Sequence, residues 1–419
     1  MYKRQERLTG ELENKTIKWM SDWDINSDDT GKTTPIELAV FQERYGGQIE
    51  FHQTTYGARY DNLANAINSD EGIDFFYGGN WDAFPKGAVR GMFVPYDDYI
   101  DLDSDLWKDV KAANDAMVWN DKHYMAIVEV TGDQCAIIYN RKTMDENGLD
   151  DPAELFEKGK WDWDAFMDMM KTFVSNAKDG ETRYGINGWV GQAIVQSTGE
   201  TFVKYDGSKF SNNISNPAIE EAEGVMEEIM SLGLYDPTWY GYLPDDGSTL
   251  FFGMADWALG ASNVKADPNP DYEDDGFVEE NDLMIVPFPK QPGSDEYYLN
   301  CNFGAKMLVK NSDKGDAVAA YIKCERLAAM IDEYKDAAKE KAIIPEVNAQ
   351  GKLKSYVTEE QYDALQDYKN PKNITPVFDF GYGMGSRMYG DGEYTYETRG
   401  VMNNLTSALL NGDKDSLSL

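Results

Sequence analysis

Histidine, cysteine and long apolar runs are scarce in this sequence, and each scarcity argues against a class of function. The 419 residues include only two histidines, His52 and His123, and three cysteines, Cys135, Cys301 and Cys324, with no CxxC pair. Each cysteine lies in an apolar run, as is typical of a small buried side chain and not of a disulfide or a metal ligand. No apolar run approaches the roughly 18 residues that a membrane-spanning helix requires.

The short motifs of common catalytic and nucleotide-binding sites are also absent. HExxH, GxSxG, the P-loop pattern and GxGxxG do not occur. Paired carboxylates are abundant, but among 75 acidic residues such pairs arise by chance, so they are weak evidence for glycosidase chemistry. The search for catalytic residues is therefore mostly negative: no catalytic residue and no cofactor are predicted, and an enzyme is not the favoured interpretation.

The charge is strongly one-sided. Lys and Arg number 39 and Asp and Glu number 75, which gives a formal net charge of −36. The field of such a surface repels phosphate backbones and anionic lipids. Nucleic acid is therefore not expected as a partner. Solubility alone is the favoured interpretation of this charge, and a cationic ligand stays open as an alternative.

The first third of the sequence alternates predicted strands and helices. The strands are residues 16–23, 48–55 and 73–79, and the helices are residues 34–46 and 58–69. Thr34 is suited to cap the first helix, Pro35 to begin it and Gly46 to end it. This β-α-β-α-β order predicts a parallel sheet covered by helices. Ligands of such sheets bind beyond the carboxyl ends of the strands, which here are residues 21–24, 54–57 and 77–82.

The rest of the chain continues this mixture of helices and strands. A hairpin is predicted around Asn120–Asp121. The apolar residues at helical spacing are interpreted as core, and they are Trp163, Phe166, Met170 and Phe173 in one helix and Ile219, Met226, Ile229 and Met230 in another. The length exceeds one ordinary core, yet no long linker occurs. We therefore predict two domains between which the chain crosses more than once.

One acidic loop resembles a calcium-binding loop. DYEDDGFVEEND, residues 271–282, has oxygen-bearing side chains at positions 1, 3, 5, 9 and 12 and glycine at position 6. The candidate ligands are Asp271, Glu273, Asp275 and Asp282. Position 3 is Glu and position 12 is Asp, which reverses the usual preference, and no helices clearly flank the loop. A solvated acidic loop is therefore the favoured interpretation.

Tryptophan close to acidic or amide side chains is the most informative pattern. Trp23, Trp81, Trp189 and Trp257 each lie beside or near Asp or Asn at a predicted strand end. An aromatic plane covers the apolar face of a sugar ring, and carboxylates and amides bind its hydroxyls. The stretch FFGMADWALG, residues 251–260, surrounds Trp257 with small residues, so the indole either fills a gap or stays open to a flat ligand. We interpret it as open.

Seven ordered segments carry a resemblance to a known family. They are ELAVFQERYGGQIEF, GIDFFYGGNWDAF, GMFVPYDDYI, WNDKHYMAIVEVTGDQCAIIYNRKTMDENGL, WDWDAFMDMMKTF, FFGMADWALG and DLMIVPFPK. Over about residues 14–410 the sequence resembles the extracellular solute-binding proteins, family 1, of ABC importers, in the carbohydrate group that includes maltose-binding protein. The order and spacing of the segments carry the resemblance.

The resemblance implies an α/β, two-lobe periplasmic-binding-protein-like fold of type II, with a hinge of crossing strands and a ligand cleft between the lobes. The expected lobes are residues 1–132 plus 288–330, and residues 133–287 plus 331–419. The implied function is to bind an extracellular carbohydrate, favoured as an oligosaccharide, and to deliver it to ABC permease subunits by lobe closure. A monomer anchored by lipid to the extracellular face of the membrane is implied, although the family's lipid-carrying cysteine is not among these residues.

The resemblance also places ligand contacts at numbered residues. They are Trp257, Asp133, Asn80, Trp81, Trp189, Asn300, Asn302, Tyr382 and Arg387, and the strand-end pattern adds Trp23 and Asp24. The sequence departs from the family near Tyr382 and Arg387, where GYGMGSRMYG contains no Trp. Two other functions stay open: a glycoside hydrolase that uses paired carboxylates, and a polyamine or cation binder of the same fold. A structural surface protein is a more distant alternative.

Overall fold

A computed structural model describes residues 10–27, 34–79, 82–131, 135–188, 190–205, 210–238, 240–266, 282–300, 302–348, 351–369 and 373–377. The strands are β1 (Thr16–Ser21), β2 (Gln48–Gln53), β3 (Phe75–Tyr77), β4 (Phe93–Val94), β5 (Val118–Trp119), β6 (Lys122–His123), β7 (Ala126–Thr131), β8 (Ala136–Asn140), β9 (Tyr184–Gly188), β10 (Val203–Tyr205), β11 (Phe210–Asn212), β12 (Thr249–Met254), β13 (Leu283–Pro287), β14 (Tyr298–Asn300), β15 (Asn302–Val309), β16 (Glu346–Val347), β17 (Leu353–Ser355) and β18 (Thr375–Val377).

The helices are α1 (Ile36–Tyr45), α2 (Arg59–Asn68), α3 (Lys111–Ala116), α4 (Arg141–Asn147), α5 (Pro152–Glu157), α6 (Trp163–Ser175), α7 (Val190–Gln196), α8 (Pro217–Ser231), α9 (Trp257–Ala266), α10 (Gly315–Met330), α11 (Asp332–Ala342) and α12 (Glu359–Lys369). A 3₁₀ helix, Asp105–Val110, precedes α3. Within the described ranges, every helix is too short or too polar to cross a membrane.

Six strands form the first sheet, in the order β2-β1-β3-β15-β4, with β7 also paired to β15. β1 is parallel to both β2 and β3, which confirms the predicted β-α-β-α-β unit. β15 is antiparallel to β3, β4 and β7. The middle of this sheet is therefore filled by a strand from a distant part of the sequence.

Helix α1 shows how local sequence sets the element boundaries. Gly46 follows the helix with a φ of 65°, a left-handed conformation that glycine adopts without strain, so the predicted stop is confirmed. The predicted start is wrong by one residue. Pro35, with an extended ψ of 149°, is the capping residue in place of Thr34, and the helix begins at Ile36. Leu38 and Phe41 turn inward and are buried.

Four strands form the second sheet, in the order β13-β8-β12-β9. Every residue of β12 and β13 is buried, as expected when helices cover both faces. The apolar stripe of α6 is buried as predicted. The prediction for Met230 is wrong: it is 36% exposed near the end of α8, because the inward face of that turn is taken by Ile229.

The predicted hairpin is confirmed between β5 and β6. Asn120 and Asp121 have φ values of 53° and 56°. Two successive left-handed residues are what a tight two-residue hairpin turn requires, and Asn and Asp tolerate that conformation better than most residues.

The chain passes between the two sheets more than once. The first sheet takes its strands from residues 16–131 and 302–309, and the second from residues 136–287. After α10 and α11, α12 returns to the second sheet, where Nε2 of Gln361 donates to the backbone oxygen of Leu283 at 2.8 Å. The same side chain bonds Asn263 on α9 at 2.7 Å.

Two of the three cysteines are described, and both are buried and outside any disulfide, which confirms their interpretation as core residues. Burial, followed by the charge of Glu325, raises the pKa of the Cys324 thiol to about 12. Burial also raises the pKa of the Cys135 thiol. Neither thiol is therefore prepared to act as a nucleophile. Cys301 lies outside the described residues.

Candidate functional site

Three aromatic rings, Trp19, Trp23 and Tyr77, form what we call the aromatic shelf, at the carboxyl ends of β1 and β3. The Trp23 ring meets Trp19 edge-on at 5.3 Å between centroids and Tyr77 at 5.5 Å. Nε1 of Trp19 also donates to the backbone oxygen of Trp23 at 3.1 Å. Trp19 is fully buried, whereas Trp23 is 43% exposed. The buried ring therefore holds the exposed ring in place, with part of its surface open to a ligand.

Asp24, the neighbour of Trp23, orders the loop after β1. Its Oδ1 accepts from the backbone nitrogen of Asn26 at 3.0 Å and from Nδ2 of Asn26 at 2.9 Å. That amide also donates to the backbone oxygen of Ile49 on β2 at 3.1 Å. In this arrangement the Asp24 carboxylate supports the loop beneath Trp23.

The carboxyl end of β2 carries another exposed ring, which the strand-end pattern of tryptophans missed. Tyr56 is 67% exposed, and the guanidinium carbon of Arg59 lies 3.7 Å from its ring centroid. This is a cation–π contact between neighbouring residues of one loop and helix. It fixes the ring orientation and covers one of its faces.

A cavity of about 540 Å³ lies between the start of α1, the paired strands β7 and β15, and helices α10 and α11. This volume is within the range of small-molecule sites, roughly 300–1,000 Å³. Its polar lining residues are Glu37, Glu129, Lys306, Glu325 and Lys341, and its apolar lining includes Val128, Ala328, Ala329, Tyr334, Ala338 and Ala342. We call it the α1–α11 cavity.

Lys306 connects the α1–α11 cavity to the aromatic shelf. Its Nζ lies 2.8 Å from Oε1 of Glu325, in an ion pair whose side chains are 12% and 9% exposed. The same ammonium lies 5.7 Å from the ring centroid of Trp19. On β15, Lys306 is also the cross-strand partner of Tyr77 on β3. A ligand held by the cavity would therefore lie close to the aromatic shelf.

Burial and neighbouring charges shift the pKa of a carboxyl group in the cavity. Burial, and then the negative charge of Glu325, raises the pKa of the Glu37 carboxyl, against a lowering effect of Lys306. Gly304 provides the space for Glu129, because a methyl group at Gly304 would lie 2.7 Å from Cγ of Glu129. Acidic side chains thus crowd this site from α1, β7 and α10.

Trp257 is the first residue of α9, three residues after the end of β12, and is 54% exposed. This supports the interpretation of an open indole. The reason for its small neighbours differs from the one expected. A methyl group at Gly260 would lie 2.0 Å from Oγ of Ser355, so glycine lets α9 approach β17 closely. Gly260 thus serves the packing of α9 against β17, while Trp257 is exposed in the first turn.

The other sequence-predicted contacts lie mostly outside the described residues. Those outside are Asn80, Trp81, Asp133, Trp189, Tyr382 and Arg387. The backbones of Asn300 and Asn302 lie on β14 and β15, where they pair with Val377 and Thr131. Of the described contacts, Trp23 and Asp24 are neighbours in the loop after β1, and Trp257 is exposed at the start of α9, after a strand of the second sheet.

The calcium candidate stays a prediction, because Asp271, Glu273 and Asp275 lie outside the described residues. Asp282 is described and exposed, and its backbone oxygen accepts from the backbone nitrogen of Arg141 at 2.8 Å. In the part of the chain that the structure describes, no three His, Cys, Asp or Glu side chains are grouped so as to hold a metal ion.

Sequence reasoning missed the cavity residues Glu37, Glu129, Lys306 and Glu325. One signal was available: Lys306 is a charged residue inside the apolar strand pattern of NFGAKMLV. A buried lysine needs a partner of opposite charge, but the sequence alone does not say that Glu325 provides it.

The sequence matches the family described as bacterial extracellular solute-binding protein over residues 25–324, which is most of the chain. The chain belongs to this family. The match confirms the resemblance inferred from the seven ordered segments, and it identifies the chain as a substrate-binding component of the kind that works with ABC transporters. No curated protein shows significant sequence similarity to the chain.

Solved structures of solute-binding proteins share the fold across nearly the whole chain. The cyclic α-maltosyl-1,6-maltose-binding protein of Arthrobacter globiformis aligns with a TM-score of 0.63 at 14% identity, covering 97% of this chain and 99% of its own. The sugar-binding protein MalE of Xanthomonas citri gives 0.62 at 12% identity, with 96% and 97% covered. A binding protein of B. animalis subsp. lactis Bl-04, solved with β-1,6-galactobiose, gives 0.57 at 17% identity, with 96% and 98% covered.

These similarities establish the fold. It is the two-lobe α/β fold of the solute-binding proteins, as the sequence predicted. At such low identities, ligand specificity does not transfer from one chain to another, so the ligand must be argued from the residues of this chain.

Proposed function

We propose that the chain binds an extracellular carbohydrate of oligosaccharide size and delivers it to the permease subunits of an ABC importer. The observation that carries the proposal is the exposure of Trp23 and Trp257, at 43% and 54%, shortly after the carboxyl ends of β1 and β12 in a solute-binding protein. A partly open indole beside carboxylate or amide side chains is suited to cover the apolar face of a sugar ring while its neighbours bind the hydroxyls. The related proteins of A. globiformis and B. animalis are named or solved with oligosaccharides.

The proposed mechanism is binding without catalysis. Lobe 1 would comprise residues 1–132 plus 288–330, and lobe 2 residues 133–287 plus 331–419, with the sugar between them. The ligand shifts an open–closed equilibrium only by its greater affinity for the closed form. Closure removes water from the rings and from the hydroxyl partners, which strengthens both kinds of contact. The closed form is the one that the permease recognises.

The proposed ligand contacts combine described and undescribed residues. Trp23 and Trp257 cover the sugar faces, and Asp24 supports the loop that carries the first ring. Hydroxyl partners are proposed from the family resemblance at Asp133, Asn80, Asn300, Asn302 and Arg387, with further aromatic contacts at Trp81, Trp189 and Tyr382. The protein would act as a monomer anchored by lipid at the extracellular face of the membrane.

A thermal-unfolding panel of mono- and oligosaccharides tests the proposal. A ligand at a hundred times its Kd stabilises the folded state by about 2.7 kcal/mol, which is a readily measured shift. We expect one class of glycan to raise the melting temperature, and Trp23→Ala and Trp257→Ala each to reduce the shift. Leu232→Ala is the matched control. Leu232 is also a large apolar residue, its side chain is 50% exposed, and it is far from Trp23 and Trp257 in the sequence.

Two outcomes would contradict the proposal. Release of smaller sugars from an oligosaccharide would favour the hydrolase alternative, which chromatography of the ligand after incubation detects. A response to spermidine, with none to any sugar, would favour the cation-binding alternative.

A further inference from the structure

The loop between β2 and α2 presents an exposed ring, Tyr56, at the same edge of the first sheet as the aromatic shelf. The backbone nitrogen of Thr54 donates to the backbone oxygen of Ser21, the last residue of β1, at 2.9 Å. Because β1 and β2 are parallel, the chain leaves both strands at one edge. Tyr56 follows Thr54 by two residues, and Trp23 follows Ser21 by the same interval. The two exposed rings therefore come from neighbouring strand ends.

Hydrogen bonds within the loop hold the turn that carries Tyr56. Nδ2 of Asn62, on α2, donates to Oγ1 of Thr54 at 2.7 Å, and the Thr54 side chain is buried. The backbone nitrogen of Ala58 donates to the backbone oxygen of Thr55 at 3.2 Å and approaches its Oγ1 at 3.3 Å. The exposed ring is thus carried by an ordered turn.

Arg59 fixes the orientation of the Tyr56 ring. Its guanidinium carbon lies 3.7 Å from the ring centroid of Tyr56 and 4.7 Å from that of Tyr60. Its Nη1 also donates to the backbone oxygen of Tyr56. No carboxylate in the described part of the chain forms an ion pair with Arg59. The arginine therefore serves to hold this ring through a cation–π contact.

The second face of the Tyr56 ring stays open to a ligand. The side chain is 67% exposed, and within the described ranges Arg59 is its one ring contact and its hydroxyl has no hydrogen-bond partner. A methyl group at the next residue, Gly57, would have nothing within 4 Å, so the space beside the loop is empty. A ring that is oriented before binding loses little conformational freedom when a ligand stacks on it.

The spacing of the rings requires an extended ligand. β1 lies between β2 and β3 in the sheet. Trp23 turns toward Tyr77 of β3, at 5.5 Å between ring centroids, whereas Tyr56 follows β2. Those two strands are two strand spacings apart, about 9–10 Å. One sugar ring does not cover both positions, but a chain of linked sugar units does.

We propose that Tyr56 forms an outer subsite, which stacks on a sugar unit beyond the one that Trp23 covers, and that the protein therefore selects linear oligosaccharides longer than a disaccharide. Arg59 is a positioning residue of this outer subsite. The family resemblance places no ligand contact in this loop. The inference rests on the proposed carbohydrate function and specifies the size of its ligand.

Disaccharides and tetrasaccharides of one linkage form the central test. The pairs are maltose with maltotetraose, cellobiose with cellotetraose, and xylobiose with xylotetraose, each measured by calorimetric titration. We define the length preference as the Kd of the disaccharide divided by that of the tetrasaccharide. In the series that binds, we expect a length preference of about tenfold or more, as an additional stacking contact supplies.

Substitutions then assign the length preference to the ring. We expect Tyr56→Ala to reduce it about fivefold or more and to leave the Kd of the disaccharide unchanged. Tyr56→Phe keeps the ring and should keep the preference. Arg59→Gln should reduce the preference in part, because the ring remains but loses its orientation. Ile344→Ala is the matched control, since Ile344 is an apolar residue of similar exposure, at 59%, after α11. Circular dichroism confirms that each variant is folded.

The outcomes separate this inference from the proposed function. If sugars bind but the tetrasaccharide has no advantage, or if Tyr56→Ala weakens both lengths equally, the inference is wrong and the carbohydrate function stands. An equal loss in Tyr56→Phe and Tyr56→Ala would also overturn the inference, because the ring would then not be the cause. If no sugar of the three series or of the thermal panel binds, the carbohydrate function is wrong, and the inference fails with it.

Discussion

Nζ of Lys314 lies 2.9 Å from Oδ2 of Asp74, whose side chain is only 2% exposed. The same carboxylate accepts from Oγ of Ser312 at 2.7 Å and from the backbone nitrogen of Lys18 at 2.7 Å. Asp74 therefore ties β1 and the start of β3 to the turn that leads into α10. Three parts of the first sheet that are far apart in sequence meet at one buried carboxylate.

Asp74→Asn should lower the free energy of unfolding by about 2 kcal/mol, because an uncharged amide cannot replace the charge-assisted bonds to Lys314 and Ser312. Urea unfolding at neutral pH measures the change. Asp313→Asn is the control, since Asp313 is exposed in the same turn. A loss of equal size in both variants would show that the buried position of Asp74 has no special role.

Two glycine-to-alanine changes should have opposite effects on stability. Gly188 ends β9 with a φ of 100°, and a methyl group there would lie 2.1 Å from the backbone oxygen of Gly253. We expect Gly188→Ala to destabilise the protein by more than about 2 kcal/mol. Gly224 lies inside α8 with nothing within 4 Å of the added methyl group, so Gly224→Ala should stabilise by about 0.5–1 kcal/mol. Thermal and urea unfolding compare them, and a shift of the same sign in both would contradict this account.

Glu37→Gln should stabilise the free protein at pH 7 but not at low pH. Folding raises the pKa of Glu37 above its ordinary value of 4.5, so the charged form is disfavoured in the folded state. This penalty is absent below pH 4.5, where the carboxyl is protonated in both states, and it is complete above the raised pKa. We expect the urea midpoint of Glu37→Gln to exceed that of the unsubstituted protein at pH 7 but not at pH 4. Glu43→Gln is the reference variant, since Glu43 is an exposed glutamate of the same helix, α1. A gain that does not change with pH would point to packing instead of charge.

Gly304→Ala should weaken ligand binding while leaving the fold intact. The new methyl group would contact the flexible side chain of Glu129, whose Cγ and Oε1 lie 2.7 Å and 3.1 Å from that point. Glu129 must then move away from the mouth of the cavity, and we expect the Kd of the bound sugar to rise about tenfold or more. Gly224→Ala is a suitable control, because nothing lies within 4 Å of a methyl group at Gly224. If Gly304→Ala binds the sugar with unchanged affinity, Glu129 does not belong to the binding site.

Sequence patterns predicted the elements whose cause is local. The β-α-β-α-β unit, the stop at Gly46 and the Asn120–Asp121 turn each depend on neighbouring residues, and the structure confirms them. The prediction that Met230 lies in the core is wrong because helical spacing alone does not say which of two adjacent apolar residues faces inward. That choice depends on what packs against α8.

The candidate site was harder to predict because its members meet only through tertiary pairing. Trp23 and Trp257 stood out by their local context. The ion pair of Lys306 and Glu325 depends on the register of β15 against β3 and on the packing of α10, and neither is encoded by a short motif. Sequence reasoning therefore found Trp23 and Trp257 and missed Trp19 and the buried ion pair of Lys306 and Glu325 near it.

The position of β15 has a consequence for synthesis on the ribosome. This strand fills the middle of the first sheet, between β3 and β4 and against β7, yet it is translated only after residues 132–301. At about 5–20 residues per second, the four strands of the second sheet emerge and can pair first. Throughout that interval the nascent chain carries the unpaired edges of β3 and β7, so the part of the protein that is made first must wait for its central strand.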